Sequence, residues 1–296
     1  MKVNTRSKIL TSQRIKFMLY IGITAILGAV VGLALGNLIL ARQQSSKQQV
    51  VATHHFAVDE PRVVAVSDTN VYFGFGGGLM ISQDGGKNWG TLTSEIANII
   101  SICPLPDNSM YFATKKNIYF LDSSHNLRLI KPPASVSIED IAASQDGRYI
   151  YIASSQGGIY VSSDEGNTWQ KTGAPQGSEG GITSIAIAPQ DSKQIYAGVA
   201  SEIWESKDGG HSWQPISSPG GVVMDINLQP NSNILYAGTS VGLWKLTSSG
   251  WQKIPLTTSG LIISVAVGDP ESNMLAVLDQ QGNVYVSRDG GLSWQN

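Results

Sequence analysis

Ser82-Gln83-Asp84-Gly85-Gly86-Lys87-Asn88-Trp89, Ser162-Ser163-Asp164-Glu165-Gly166-Asn167-Thr168-Trp169, Ser206-Lys207-Asp208-Gly209-Gly210-His211-Ser212-Trp213 and Ser287-Arg288-Asp289-Gly290-Gly291-Leu292-Ser293-Trp294 align without gaps. The shared pattern is Ser-x-Asp-x-Gly-x-x-Trp. Its aspartates lie 80, 44 and 81 residues apart, so the first and third gaps leave room for one weaker copy each. LDSSHNLRL at 121–129 has lost the tryptophan and the glycines, and LTSSGWQKI at 246–254 keeps Gly250 and Trp251 without the aspartate. The closing large residues are then Trp89, Leu127, Trp169, Trp213, Trp251 and Trp294, spaced 38, 42, 44, 38 and 43. That makes six units with a period near forty.

Each unit has one internal order. In the fourth, GITSIAIAP, QIYAGVA, EIWESKD and SWQPISS are short apolar, β-branched runs bounded by Gly, Pro, Asp and Ser. Such runs read as strands. Four strands per forty-residue unit, six times over, predict an all-β fold: a six-bladed β-propeller of four-stranded antiparallel blades over residues 50–296. VVATHHFAV at 50–58 precedes the first unit and is strand-like, while the last unit stops at Trp294 before its fourth strand is complete. The early strand is therefore expected to lie along the last blade and close the ring, sparing it open edges.

Composition agrees. Charged residues make up 14% of the 296, and 42% are apolar, the reverse of a disordered chain. The charge is split. Residues 1–50 hold seven Lys/Arg and no acid, whereas 51–296 hold thirteen Lys/Arg against twenty-two Asp/Glu, a net of −9. An acidic body argues against nucleic acid as a partner. The lone cysteine, Cys103, excludes an internal disulfide and thiolate-rich zinc sites.

Ahead of the body, residues 17–40 read FMLYIGITAILGAVVGLALGNLIL without a charge. As a helix the run covers about 36 Å against a hydrocarbon core of about 30 Å. A single N-terminal transmembrane helix is expected there, after a basic tail at 1–16 and before a polar stalk at 41–49. Lys2, Arg6, Lys8, Arg14 and Lys16 precede it and only Arg42 and Lys47 follow closely. The positive-inside rule then leaves the N-terminus cytoplasmic and the propeller extracytoplasmic. A cleaved signal peptide is the alternative, with Ala34-Leu35-Gly36 as a small-x-small site, but such apolar regions usually run 7–15 residues. Gly28, Gly32 and Gly36 form a stripe at which a second helix could approach.

The repeated motif resembles the Asp-box, or BNR repeat, of sialidases, sortilin, xyloglucanases and the propellers that act as photosystem II stability and assembly factors. The resemblance covers nearly all of 52–296 and implies that each box sits in the turn between the third and fourth strands of a blade. The residues support a structural role. Asp84, Asp164, Asp208 and Asp289 can accept backbone N–H bonds in a tight turn. Ser82, Ser162, Ser206 and Ser287 can add a hydroxyl bond. Gly86, Gly166, Gly210 and Gly291 permit unusual φ. Trp89, Trp169, Trp213 and Trp294 supply large apolar wedges. Calcium would need more oxygen donors per turn.

Ligand-binding loops of propellers usually lie on the opposite face. There the sequence offers Glu95, Glu139, Asp140, Lys131, Lys171 and Glu179 in loops between blades, with Lys115, Lys116, Gln156, Glu202, Gln280 and Gln281 in turns within them. Sialidase chemistry would need three substrate-binding arginines. Arg288 lies in a box and Arg148 follows an Asp-Gly turn, leaving Arg62 and Arg128. The Arg-Ile-Pro signature is missing as well. A glycosidase would need two carboxylates across a cleft, for which Glu95, Glu139, Asp140 and Glu179 are the available groups. GFGGG at 74–78 reads as a hairpin turn, since no helix follows to hold phosphate. His54 and His55 would point to opposite sides of a strand. No cofactor or metal site is expected. The sequence thus predicts a membrane-anchored binding or scaffold module with a protein or glycan partner at the membrane surface, assisting assembly or stability of a membrane complex. An exported glycoside hydrolase is the alternative.

Overall fold

A computed structural model describes residues 54–56 and 60–294. The expected tail, transmembrane helix and stalk lie outside the described residues. Among the described residues no helix is long and apolar enough to cross a membrane.

Among the described residues, twenty-four strands form six four-stranded antiparallel sheets. The first strand, β1 (His54–His55), stands apart in sequence from the sheet it joins. Blade 1 is β2 (Pro61–Ser67), β3 (Asn70–Phe75), β4 (Gly78–Ser82) and β5 (Gly90–Thr93). Blade 2 is β6 (Ser101–Pro104), β7 (Met110–Ala113), β8 (Ile118–Leu121) and β9 (Leu127–Ile130). Blade 3 is β10 (Ile138–Ala143), β11 (Ile150–Ser154), β12 (Ile159–Ser162) and β13 (Gln170–Lys171). Blade 4 is β14 (Ser184–Ala188), β15 (Asp191–Val199), β16 (Glu202–Ser206) and β17 (Gln214–Ile216). Blade 5 is β18 (Val223–Leu228), β19 (Leu235–Thr239), β20 (Gly242–Thr247) and β21 (Gly250–Ile254). Blade 6 is β22 (Ile262–Val267), β23 (Leu275–Asp279), β24 (Asn283–Ser287) and, as its fourth strand, β1.

The second strands explain the low charge of the chain. Met110–Ala113, Ile150–Ser154, Leu235–Thr239 and Leu275–Asp279 are buried at every residue. A strand covered on both faces cannot alternate apolar with polar. Hydrophobic contacts resolve into six clusters, each shared by two adjacent blades; one joins Phe112 of blade 2 to Leu79 of blade 1, another Ile187 of blade 4 to Ala153 of blade 3. Blades approach closely because small residues open a notch. Gly74, Ala113, Ala153, Gly198 and Gly238 occupy equivalent positions on the second strands of blades 1 to 5. A methyl group on Gly238 would lie 2.7 Å from both Ile262 and Val265 of blade 6.

The early strand closes the ring as its pattern predicts. His54 and His55 pair with Val284 and Asn283 of β24, and the Phe56 N–H donates to the Gly282 carbonyl at 2.9 Å. Phe56 is buried. Its ring stacks on Phe73 at 4.1 Å and meets Trp89 edge-on at 5.0 Å, so blade 6 is plugged into blade 1. His54 packs on Phe56, and its burial together with neighbouring His55 lowers its pKa. His55 Nδ1 lies 2.9 Å from Asn283 Oδ1.

Candidate functional site: the central channel and its mouth

The antiparallel meander puts the turns between second and third strands, and the loops between blades, on one face. The turns between third and fourth strands lie on the other. Three of the intact motifs occupy those latter turns and the fourth follows the third strand of blade 6, all with one geometry. Ser206 Oγ donates to Asp208 Oδ1 at 2.8 Å and accepts the Gly210 N–H at 2.8 Å. The same two bonds recur at Ser82, Ser162 and Ser287. The aspartate's reach exceeds what the sequence pattern defines. Asp208 accepts both the backbone N–H and the hydroxyl of Ser212, four residues on, at 2.9 and 2.6 Å. Thr168 and Ser293 do the same for Asp164 and Asp289, and Asn88 donates its backbone N–H and side-chain amide to Asp84. A polar residue before each tryptophan was thus a motif position, visible in the four copies.

These bonds favour the ionised carboxylate. Donors from Asn88 and Ser212 hold Asp84 and Asp208 well below the ordinary range, and the Thr168 bonds bring Asp164 down to about 2. At Asp289 partial burial pushes upward, and the bonds from Ser293 and Ser287 outweigh it. In blade 2, Asp122 keeps the cradle through Ser124 and Asn126 although Leu127 replaces the tryptophan. The tryptophans are half-buried against the blade interfaces. Trp169, Trp251 and Trp294 donate their indole N–H to carbonyls of Lys131, Ser217 and Pro255, which follow the preceding blade's outer strand.

The opposite face surrounds the channel mouth. Four of the innermost strands carry a bulge near their start, between Pro61 and Val63, Ile138 and Asp140, Val223 and Asp225, and Ile262 and Ser264. Bulges re-aim side chains. The bulged residues Arg62, Glu139, Met224 and Ile263, with Ile100 and Thr183 from the remaining blades, line a vestibule of about 280 Å³. Arg62 pairs with Glu60, and Lys115 with Glu139. Met224 and Ile263 make the blade 5–6 side apolar, and Val222, Val241 and Leu261 extend that character outward as exposed side chains of the same blades.

One residue deeper lies the waist. Around the ring stand Val63, Ser101, Asp140, Ser184, Asp225 and Ser264, each opposite the small residue of its second strand in blades 1 to 5. Five of the six stitch their blade to the next. Ser101 Oγ accepts the Ile141 N–H at 3.3 Å, and Asp140 Oδ2 accepts the Ile185 N–H at 2.9 Å. Ser184 Oγ accepts from Ile226 at 3.2 Å, Asp225 Oδ2 from Val265 at 2.7 Å, and Ser264 Oγ from Val64 at 3.2 Å. Below the waist is a chamber of about 170 Å³. Both spaces fall short of the 300–1,000 Å³ usual for ligand pockets. Cys103 faces the lower chamber, its thiol 3.1 Å from the Ile141 carbonyl, and burial pushes its pKa far up. It is a poor nucleophile there.

This geometry corrects part of the sequence reading. Glu139 and Asp140 are not loop residues: both belong to β10, Glu139 at the bulge and Asp140 in the waist. Glu202 opens β16 rather than lying in a turn. Glu95 is an exposed loop residue, Glu179 sits in a short 3-10 turn at Ser178–Gly180, and Lys116 is exposed in the β7–β8 turn. Of these candidates the structure brings Lys115 and Glu139 together; among the described residues Glu95, Lys116, Glu179 and Glu202 make no ion pair. Asp225, absent from the sequence-based candidates, shares the waist with Asp140. No group of three or more His, Cys, Asp and Glu residues among the described residues could hold a metal ion.

Fold and channel define a six-bladed β-propeller closed by an N-terminal strand. No protein-family model and no curated relative matches the sequence. Solved structures share the fold. A gluconolactonase from Xanthomonas campestris superposes with a TM-score of 0.63 at 12% identity, over 80% of this chain and 88% of that one. A GH74 xyloglucanase from the same organism gives 0.58 at 19% identity, over 83% of this chain but 46% of the enzyme, so the chain spans under half of that protein. YCF48 bound to D1 peptide gives 0.50 at 18% identity, over 83% of this chain and 82% of that one.

Proposed function

We propose that this protein is a membrane-anchored, extracytoplasmic propeller that works as a binding and scaffold module, holding a protein partner against its channel-mouth face and assisting the assembly of a membrane complex. The observation that carries the reading is the ring of bulged residues. Four bulges turn Arg62, Glu139, Met224 and Ile263 toward one opening, giving a mouth with a charged arc on blades 1 to 3 and an apolar arc on blades 5 and 6. A mixed surface of this kind suits a protein segment. The peptide held by YCF48 supports a protein partner for this fold. The uncharged run at 17–40 and its basic flank support the anchor.

The glycosidase alternative fares worse at the same place. Asp140 and Asp225 are the two carboxylates that the structure brings together, each contacting Ser184 Oγ, at 2.9 and 2.8 Å. Yet their oxygens are occupied by the strands they stitch, and the chamber is too small for a sugar chain. The test is photo-crosslinking in the native membrane, with a photoreactive residue at Met224 or Glu202 on the mouth face and at Lys87 or Leu292 on the other. Adducts confined to the mouth-face positions support the module. Equal labelling of both faces, or glycan hydrolysis by the full chain that Glu139→Gln abolishes, overturns it.

A further inference from the structure

We propose that the waist of the channel stores one proton, shared between Asp140 and Asp225 through the hydroxyl of Ser184, and that this proton ties blades 3, 4 and 5 together in a pH-dependent way.

Ser184 Oγ lies 2.9 Å from Asp140 Oδ2 and 2.8 Å from Asp225 Oδ1. A hydroxyl has one hydrogen to give. With both carboxylates ionised, one of those contacts would be two oxygens pressed together with nothing between them. The contacts close when one carboxyl carries a proton of its own. That carboxyl donates to Ser184 Oγ, and Ser184 donates to the other.

The surroundings say which is which. Asp140 is met by three other donors: the Ile141 N–H at 2.8 Å, the Ile185 N–H at 2.9 Å and the Ser101 hydroxyl at 2.7 Å. Three donors favour the anion. Asp225 has the Val265 N–H at 2.7 Å and a bond from Ser264. The chain therefore runs Asp225 Oδ1–H to Ser184 Oγ–H to Asp140 Oδ2. Ser184 Oγ takes its second incoming bond from the Ile226 N–H at 3.2 Å, which completes its capacity of one bond given and two accepted. Burial raises both acids, and the neighbouring Asp140 charge helps to push Asp225 up to about 7. The titration belongs to the pair.

Other charged and titratable groups stand around this pair. Arg62 of β2 and Lys115 of the β7–β8 turn line the vestibule with Glu139 of β10, and each of those cations already has a carboxylate partner. The Cys103 thiol of β6 faces the chamber below. The waist segments of β14 and β22, Ser184-Ile185 and Ser264-Val265, contribute hydroxyl and aliphatic side chains. No cation among these groups replaces the shared proton.

The sign follows. The folded chain keeps a proton that an unfolded aspartate releases near pH 4, so this site stabilises the fold most at low pH. Its contribution falls as pH rises from about 4 to about 7 and is gone above that. The folding constant should drop about tenfold per pH unit within the window from this site alone.

The test uses the full chain in detergent, melted at steps from about pH 5 to about pH 8. Asp225→Asn mimics the protonated acid, its amide donating to Ser184 Oγ. The difference curve between wild type and Asp225→Asn should follow one proton and flatten near neutrality, with His54 and the exposed acids cancelling. Infrared spectra at about pH 5.5 should show a protonated-carboxyl C=O band that vanishes in Asp225→Asn and fades in wild type as pH rises. Asp140→Asn should lower the melting temperature throughout. Parallel pH profiles for wild type and Asp225→Asn, or no protonated-carboxyl band in wild type, would overturn the proposal.

Discussion

Replacing Phe56 by alanine tests whether the ring is held at its junction by a plug. The side chain is buried in a cluster with Val64, Phe73, Ala276 and Val284, drawn from the first and last blades. Removing a buried phenylalanine from a packed site costs about 3–5 kcal/mol. The upper half of that range is expected, because Phe56 touches three other aromatic rings and the strand before it is two residues long. A double-mutant cycle of Phe56→Ala with Trp89→Ala should show a coupling of about 1 kcal/mol. Urea unfolding followed by tryptophan fluorescence reads both quantities. Phe56→Leu should recover most of the loss, and deletion of residues 50–58 should be at least as damaging as Phe56→Ala. A loss under about 1 kcal/mol for Phe56→Ala, within the range of ordinary surface changes, would refute the plug. The ring would then be closed by side-by-side blade packing alone.

Ser206→Ala removes a buried hydroxyl and leaves the Gly210 N–H unpaired; a loss of about 1–3 kcal/mol is expected in urea melts. An unchanged midpoint would mean that the turn holds its shape without the serine. Gly238→Ala pushes a methyl group into Ile262 and Val265 and should cost about 1–3 kcal/mol. A wild-type melting temperature would show that the blade interface can yield. The box aspartates titrate below ordinary carboxyls. The stability they bring is present above about pH 4 and lost as pH falls from there toward about pH 2. Asp164→Asn should therefore shallow the acid unfolding curve, and a superimposable curve would contradict the role given to its hydrogen bonds.

The propeller was legible because a forty-residue rhythm of Asp-turn and tryptophan repeats along the chain, and because strands buried on both faces leave continuous apolar runs such as Met110–Ala113. The closing strand was legible as a strand-like run facing an incomplete last unit. The channel was not. A bulge flips side-chain direction by one residue, so Glu139 and Asp140 look like neighbouring loop acids while one faces the mouth and the other the waist. Asp225 stands between Met224 and Ile226, where alternation gives no sign that it meets Asp140 across a serine from another blade. The alternation of Ser101, Asp140, Ser184, Asp225 and Ser264 becomes visible once the first strands of all blades are stacked in register. Val63 then marks the one ring position without a polar side chain.

The strand that completes blade 6 is also the point where the preceding chain enters the disc. Closure of the ring rests there on two ladder pairs and the Phe56 ring. Blade 6 is the blade assembled from both ends of the described residues, so the ring is complete only once those two ends have met.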